Sequence, residues 1–517
     1  MTKILALHDS HSASICEIEN NKVIYFQEAE RLNRQKKSGD WLILLDKYKN
    51  KSFDTIIFAV TSWNDKEESI KYLLDERNIK YNNFKLIIGH HFLHACSAFF
   101  NSGFKKSYAL VIDGNGSKGI FKNCSEIVSL YYFNKNKFRT IFQVFEQTSG
   151  DDYSKGKNIF LNTFSLGNMF SFVKEILNYK EEGSVMGLSS YGKNKGDFLK
   201  LFHENKFKHF TSNQGILYDL ASDPDIKTNP ANVCKQVQKE LESIVIKYIL
   251  NIVKKKKRNI CVSGGVFQNT VLNSKILDVC PNLYVDPFAD DSGLSMGAGL
   301  WFLNKDKFKP KKIKNLYLGD FPDYHNLPKD TGTKATAKQV AEYISKGNIV
   351  AIYQGRNELG RRALGNRSFL YDPRDLHAKD KINLLKGREW FRPTAGTVLH
   401  EHAEEWFDLK SKKETPFMSY VFKVKKTNVP GITHVDNTCR IQTLKKSENV
   451  RYYNLINEFY KLTGVPILLN TSFNLAGEPL VNTVYDAIKT LTKCSDKFNV
   501  LYFPEIGKVY ETKDIYS

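Results

Sequence analysis

Hydrophobic and polar positions alternate in short runs at the start of the chain. Residues 3–7, 12–17 and 23–28 each read as a short β segment, and the brief polar connections between them predict a meander. Residues 55–60, 85–88 and 108–112 continue the strand pattern, with helix-periodic stretches between them. Strands in repeated alternation with helices predict a layered α/β fold. Two further strand patterns, 127–133 and 138–145, lead into a more helical, insertion-like region that runs to about residue 228. Residues 233–253 are amphipathic and contain no Gly or Pro, which predicts a long helix. A strand at 259–263, a glycine turn, a helix, a strand at 283–285 and a helix from about Gly293 follow. Between about Lys305 and Ala335 the chain is rich in Lys, Pro, Gly and Asp and loses periodicity, so a domain boundary is expected there. A second unit starts near Thr336, with a helix through Ile344, a strand at 349–353 and an arginine-dense loop. No period of 20–50 residues recurs, which excludes solenoids and propellers.

A chain of 517 residues is too long for one hydrophobic core and predicts two to four domains. Its 41% hydrophobic and 26% charged residues are a globular balance. No apolar run approaches the roughly 20 residues that span a bilayer, so no membrane partner is expected. The start, MTKILALHDSHSAS, lacks a signal-peptide pattern. Eight cysteines are scattered without a CxxC pair, which reads as reduced thiols in a cytoplasmic protein. The net charge of +20 has two readings: a lysine-rich composition with solvated faces, or attraction to nucleic acid or phosphorylated substrates.

His90 and His94 lie four apart in GHHFLHACSAFF, directly after a predicted strand. On a helix that spacing puts both imidazoles on one face, as a pair of metal ligands requires. The strand 108–112 ends in Asp113-Gly114-Asn115-Gly116, and a second acid-glycine cluster, Asp290-Asp291-Ser292-Gly293, follows another strand. Acids at strand carboxyl ends commonly point into the crevice of an α/β sheet. Two His with carboxylates match an open Fe(II), Mn(II) or Zn(II) site better than a closed structural one. The bland alternative is a satisfied histidine pair. The Gly264-Gly265 turn between a strand and a helix lets backbone N–H groups approach a phosphate, or makes only a tight connection.

HHFLHACSAFF followed by VIDGNG resembles the HHxxHAxSA…DGxG segment of the NodU/CmcH-type O-carbamoyltransferases. HSASICEI with EAERLNRQK resembles their HDASA…EERFTRxK signature, and EGSVMGL with the following YG resembles EGKVMGLAxYG. SGGVFQN resembles GGVxxN, and DSG resembles GDxG. In the second half GRNELGRRALGNRSFLYDPR, KGREWFRPTAG, THVDNTCRIQT and TGVPILLNTSFNLAGEPLV are similar to family patterns. The resemblance spans almost the whole chain and is weakest across roughly 195–230 and the linker. Departures are Ala29 for the first acid of EER, Ser184 for a Lys, Arg361 for the Pro before RALG, and Thr394 and Gly396 for Phe and Pro after FRP.

The resemblance implies an α/β, bilobal architecture: an actin/Hsp70/sugar-kinase-like (RNase H-like) metal-binding carbamoyl-transfer domain over 1–330 and a YrdC-like carbamoyl-adenylate-forming domain over 331–517. It implies that carbamoyl phosphate and ATP, with Mg, give carbamoyl-adenylate and pyrophosphate in the second domain. The first then passes the carbamoyl group to an acceptor hydroxyl on a sugar, a natural product or a hydroxymethylated nucleotide or DNA. His90, His94, Asp113 and Asp291 would hold the metal, with Fe(II) favoured over Mn or Zn. Gly264, Gly265 and Asn269 of GGVxxN would bind the adenylate in the first domain. Arg356, Arg362, Arg367, Arg388 and Arg440 would supply bidentate donors for phosphate oxygens, with Lys386 a point charge. Ser472 and Asn474 resemble the nucleotide-contacting SxN element. The acceptor needs a base, for which His11 and Asp9 are candidates; His11 fills the histidine position of HDASA. Two rival functions share the ingredients: threonylcarbamoyl transfer to tRNA, and a non-catalytic nucleotide- or nucleic-acid-binding relative.

Overall fold

The protein is described from a computed structural model. The described residues are 2–60, 67–116, 121, 123–147, 151–193, 201, 203–205, 209–211, 220–254, 256–325, 327, 331–494, 500–511 and 514. The chain adopts the mixed α/β class expected, in two compact units: Met1–Ala29 with Lys37–Ile313, and Glu30–Lys36 with Lys314–Ser517. Residue 330, where the sequence reading ended its first domain, lies outside the described residues.

The first unit opens with β1 (Lys3–His8), β2 (Ser14–Glu19) and β3 (Lys22–Glu28), followed by β4 (Ser52–Val60) and β5 (Lys80–Ile88). They form a sheet of order β3-β2-β1-β4-β5. The β1–β2 and β2–β3 pairs are antiparallel, while β4 lies parallel to both β1 and β5. The next strands are β6 (Lys106–Ile112), β7 (Cys124–Asn134), β8 (Lys137–Gln147), β9 (Tyr153–Lys155), β10 (Asn158–Leu161), β11 (Ile260–Ser263) and β12 (Leu283–Val285). Their sheet runs β12-β11-β6-β7-β8-β10-β9. Its first five strands repeat the pattern, with β6–β7–β8 antiparallel and β6, β11 and β12 parallel. Two sheets of one topology in a single unit are the arrangement expected of the actin-like class.

Helix α1 (His90–Ser102) follows β5, and α2 (Pro230–Val253), α3 (Thr270–Val279) and α4 (Gly293–Asn304) complete the scaffold. α4 is apolar all round and buried through most of its length, as a helix packed between the first sheet and α1 must be. It meets α1 closely: a Cβ on Gly297 would stand 2.1 Å from the Leu93 carbonyl oxygen. That contact sets α1, and with it His90 and His94, against the start of α4, where Asp291 lies.

The second unit is built on a ten-stranded mixed sheet. β13 (Thr333–Lys334), β14 (Val350–Tyr353), β15 (Arg367–Tyr371), β16 (Ala395–Leu399), β17 (Phe407–Asp408), β18 (Val421–Val424), β19 (Thr438–Leu444), β20 (Ile467–Ser472), β21 (Val500–Phe503) and β22 (Lys508–Tyr510) contribute. Their order is β13-β22-β21-β14-β15-β20-β16-β19-β18-β17. Helix α5 (Ala337–Ser345) starts with a capping box between Thr336 and Gln339. Helix α6 (Ala378–Lys386) ends at a left-handed Gly387.

Residues 30–36 belong to this second unit although β1–β3 and everything from residue 37 to 313 belong to the first. The Arg31 guanidinium donates to the Gly360 carbonyl at 3.0 Å, and Arg34 donates to the Pro479 carbonyl at 2.8 Å. Glu30 pairs with Arg361 at 3.6 Å. Arg361, one of the family departures, therefore has an acid facing it. All eight cysteines are buried free thiols. No described helix is long and apolar enough to cross a membrane.

Candidate functional site

Strand ends and one helix turn place the first cluster. β6 ends at Ile112, so Asp113 projects from its carboxyl end; His90 and His94 lie one turn apart at the start of α1; Asp291 lies just before α4. One ligand atom from each of the four falls within 4.8 Å of the others. His90 Nε2 and His94 Nε2 are 3.2 Å apart. Asp113 Oδ2 stands 3.5 Å from the first and 3.4 Å from the second, and Asp291 Oδ1 stands 3.4 and 3.5 Å from them. His91 turns the other way, its Nδ1 2.8 Å from Ser129 Oγ, as the 3.6-residue period requires.

The charges in this cluster depend on one another. Burial works to raise the carboxyl of Asp113, yet hydrogen bonds from His90 and His94 outweigh it and hold the group below its ordinary value. Burial likewise opposes the charge on Asp291, and the same two imidazoles hold it well below the carboxylate range. The rings respond in kind: burial disfavours their cations, and the two carboxylates still raise both. Two imidazole nitrogens and two carboxylate oxygens facing one another in a buried space are a donor set that suits a divalent cation. His11, 58% exposed at its side chain, reaches the cluster from the β1–β2 loop, with Nε2 3.0 Å from Asp291 Oδ2. Asp9 is only half-buried on that same loop.

In the second unit Lys386, Ser472 and Asn474 come together. Lys386 Nζ donates to the Ser472 carbonyl at 2.5 Å and hydroxyl at 3.1 Å, and to the Asn474 carbonyl at 2.8 Å and amide oxygen at 2.9 Å. Two residues on, Arg388 Nε donates to Asn383 Oδ1 at 2.6 Å. The Arg440 side chain is pushed down to about 10, by burial first, with the neighbouring Arg392 adding to the effect. A half-buried guanidinium beside a second cation is a natural anion site. Arg362 is half-buried in the RALG loop.

Residues 46–300 match the family model described as "Carbamoyltransferase N-terminus", and 341–506 match "Carbamoyltransferase C-terminus". Nodulation protein NolO of Bradyrhizobium diazoefficiens is 33% identical over 445 residues, covering 78% of this chain and 76% of that one. This chain belongs to the carbamoyltransferase family. An uncharacterized protein of Methanocaldococcus jannaschii, MJ1051, is similar to this carbamoyltransferase from end to end, 31% identical over 95% of this chain and 96% of its own. Full-length HypF, solved in a phosphate- and nucleotide-bound form, is a distant structural likeness: TM-score 0.37 and 13% identity, covering 58% of this chain and 55% of that one.

Within the carbamoyltransferase, three positions expected at ligands are turned to other work. Arg367 is fully buried over the Tyr353 ring, 3.6 Å from its centroid. It donates to the carbonyls of Gln354 at 2.5 Å, Asn366 at 2.9 Å and Gly355 at 3.2 Å, which makes it an internal brace. Arg356 donates to the carbonyls of Gly319 at 2.8 Å and Leu318 at 2.5 Å. Asn269 caps α3 through the Leu272 N–H at 3.0 Å and bonds Gln238, so its amide is spent on the scaffold. What the sequence reading missed is Glu358, fully buried, whose Oε1 accepts from the backbone N–H groups of Leu364, Asn366 and Arg367. The RALGNRS loop is wound around that carboxylate. The signal was available as the lone acid in an otherwise basic GRNELGRRALGNR stretch. Arg392 was also missed, although GREWFR spaces it four residues from Arg388.

Gly264 shows how tightly the first cluster is supported. Its φ is +96°, and a Cβ there would sit 2.4 Å from the Ile112 carbonyl oxygen, directly before Asp113. A Cβ on Gly265 would stand 2.9 Å from Asp113 Oδ1. The turn needs glycine to let β11 approach the end of β6. Gly264→Ala is expected to cost about 3 kcal/mol from backbone strain and overpacking together. A urea melt checks this; a midpoint unchanged from wild type refutes the steric argument.

Proposed function

We propose that the second unit activates a carbamoyl group with ATP and that the first unit transfers it to an acceptor hydroxyl. The observation that carries this reading is the convergence of His90, His94, Asp113 and Asp291 with His11 at its open side. In the second unit Lys386, Arg388 and Arg440 would offer fixed positive charge to phosphate oxygens, and Ser472 and Asn474 hold the lysine in place. Carbamoyl phosphate, ATP and water would give carbamoyl-adenylate, pyrophosphate and phosphate there, a reaction that depends on positioning and on stabilising developing charge.

His90, His94, Asp113 and Asp291 would hold a divalent cation, which supplies Lewis acidity toward a carbonyl or phosphate oxygen when bound. Fe(II) is the species we favour, for a centre of two His and two carboxylates with room for further ligands. His11, whose Nε2–H donates to Asp291, would accept the proton of the acceptor hydroxyl at Nδ1. Asp291 faces the opposite ring nitrogen, Nε2, and would stabilise the imidazolium that results. The hydroxyl oxygen would then bond to the carbamoyl carbon as AMP leaves. The acceptor class we favour is a primary hydroxyl on a sugar, a natural product or a hydroxymethylated nucleotide. The net charge of +20 favours an anionic one.

The test combines two measurements. Incubation with ATP and carbamoyl phosphate should release pyrophosphate, and mass spectrometry across a panel of hydroxyl acceptors should find a product heavier by one carbamoyl unit. His11→Ala should keep ATP–pyrophosphate exchange within about threefold of wild type while product formation falls by about 10²–10⁴, the range for a general base. Loss of exchange together with product would refute this division of labour between the units.

A further inference from the structure

His94 faces the cluster through Nε2, and its other ring nitrogen points back into the protein. Nδ1 lies 3.2 Å from Ser263 Oγ, and that oxygen lies 3.2 Å from Asp286 Oδ2. All three side chains are 2% exposed or less. None of the family motifs drew attention to Ser263 or Asp286 as chemistry-bearing residues. Their placement follows from strand register. Ser263 ends β11 and Asp286 follows the last residue of β12; these are parallel neighbours, and the Asp286 N–H donates to the Val262 carbonyl at 3.0 Å. β11 pairs in turn with β6, so Ser263, Asp286 and Asp113 all stand at carboxyl ends of adjacent parallel strands.

Hydrogen-bond direction through this chain is fixed by counting protons. A serine hydroxyl has one proton to give, and an ionised carboxylate has none. Asp286 is arranged as an acceptor: the Phe288 N–H donates to its Oδ1 at 3.3 Å. Burial pushes its carboxyl up to about 6, with hydrogen bonds from Ser97 and Phe288 opposing the rise. The Ser263 hydroxyl is aimed at its Oδ2, so the carboxyl accepts on both oxygens. Ser263 therefore gives its proton to Asp286 and keeps a lone pair for His94. His94 therefore carries a proton on Nδ1, so that its neutral form presents the Nε2 lone pair to His90, Asp113 and Asp291.

We propose that Ser263 and Asp286 are positioning residues that lock His94 in the one neutral tautomer and ring orientation able to hold a divalent cation. The inference rests on the reading of the four-residue cluster as a metal centre and deepens it. Outer hydrogen-bond partners of a metal-bound histidine typically change metal affinity by 10–100-fold.

The experiment titrates Co(II) into the full chain after chelator treatment, following visible absorption, for wild type, Ser263→Ala, Ser263→Thr, Asp286→Asn and His94→Ala. Ser263→Ala and Asp286→Asn are each expected to bind Co(II) about 10–100-fold more weakly than wild type. Ser263→Thr keeps the hydroxyl and is expected to stay within about threefold of wild type, a rescue that a packing role would not produce. Chelated Ser263→Ala should melt where chelated wild type melts. Affinity of Ser263→Ala equal to wild type overturns the relay, as does Ser263→Thr binding as weakly as Ser263→Ala. Should Asp286→Asn fail to fold, the two serine variants decide the matter alone. A different result, His94→Ala binding Co(II) as well as wild type, overturns the metal centre itself and the relay with it.

Discussion

Asp291→Asn is expected to lower carbamoyl transfer by at least about a thousandfold while ATP–pyrophosphate exchange continues. One carboxylate serves two neighbours here: Oδ1 faces both His90 Nε2 and His94 Nε2, and Oδ2 faces His11 Nε2. An amide of the same shape removes the negative charge and places N–H groups or a neutral oxygen toward imidazoles that need an anion. The substitution therefore weakens the ligand set and leaves the proposed base without its partner. Metal content by elemental mass spectrometry should fall alongside product formation. Product formation within tenfold of wild type would show that Asp291 is neither ligand nor support for the base. Because the residue lies in the first unit, loss of exchange activity in this variant would count against assigning activation to the second.

Lys386→Met is expected to have the opposite signature. The methionine keeps an apolar stem of similar length near the Phe369 ring, where the lysine now lies. It removes the ammonium that ties Ser472 and Asn474 together. Exchange should fall by about 10²–10³, the cost of losing one fixed donor at a site of developing charge. Metal content should remain that of wild type. Exchange within threefold of wild type would exclude Lys386 from the activating pocket, whatever happened to the product.

These two residues also show what a single sequence displays and what it conceals. His90 and His94 were legible because helix period and ligand spacing coincide, and Asp113 and Asp291 because each closes or follows a strand at a glycine. Local pattern carries that information. Arg367 shows a physical limit: a guanidinium in an arginine-rich loop has the same letter whether it faces a phosphate or three backbone carbonyls. Asn269 is similar, since a helix cap and a ligand contact draw on the same amide. Glu358 stands out in sequence as a lone acid among arginines, but the three backbone N–H groups it accepts from leave no mark in the spacing. Ser263 and Asp286 stand 23 positions apart and meet because two parallel strands are in register, a relation that no linear spacing reports. The strands read from the sequence, and the long helix, have ends displaced by a few residues, while the second unit's strands beyond residue 353 were not foreseen. The 30–36 segment was foreseen only as part of a motif, with no sign of the unit it joins.

That segment changes how the molecule must be made. Residues 30–36 leave the ribosome well before the partners they pack against, Gly360, Pro479 and Asp486 among them. At ordinary elongation rates the wait is on the order of tens of seconds. The first unit must close around its own strands while the seven residues between its two stretches stay uncommitted, and a gene cut at the 313/314 seam would yield a carboxyl-terminal fragment missing a native piece. The boundary drawn by sequence order is therefore no guide to where this protein can be divided.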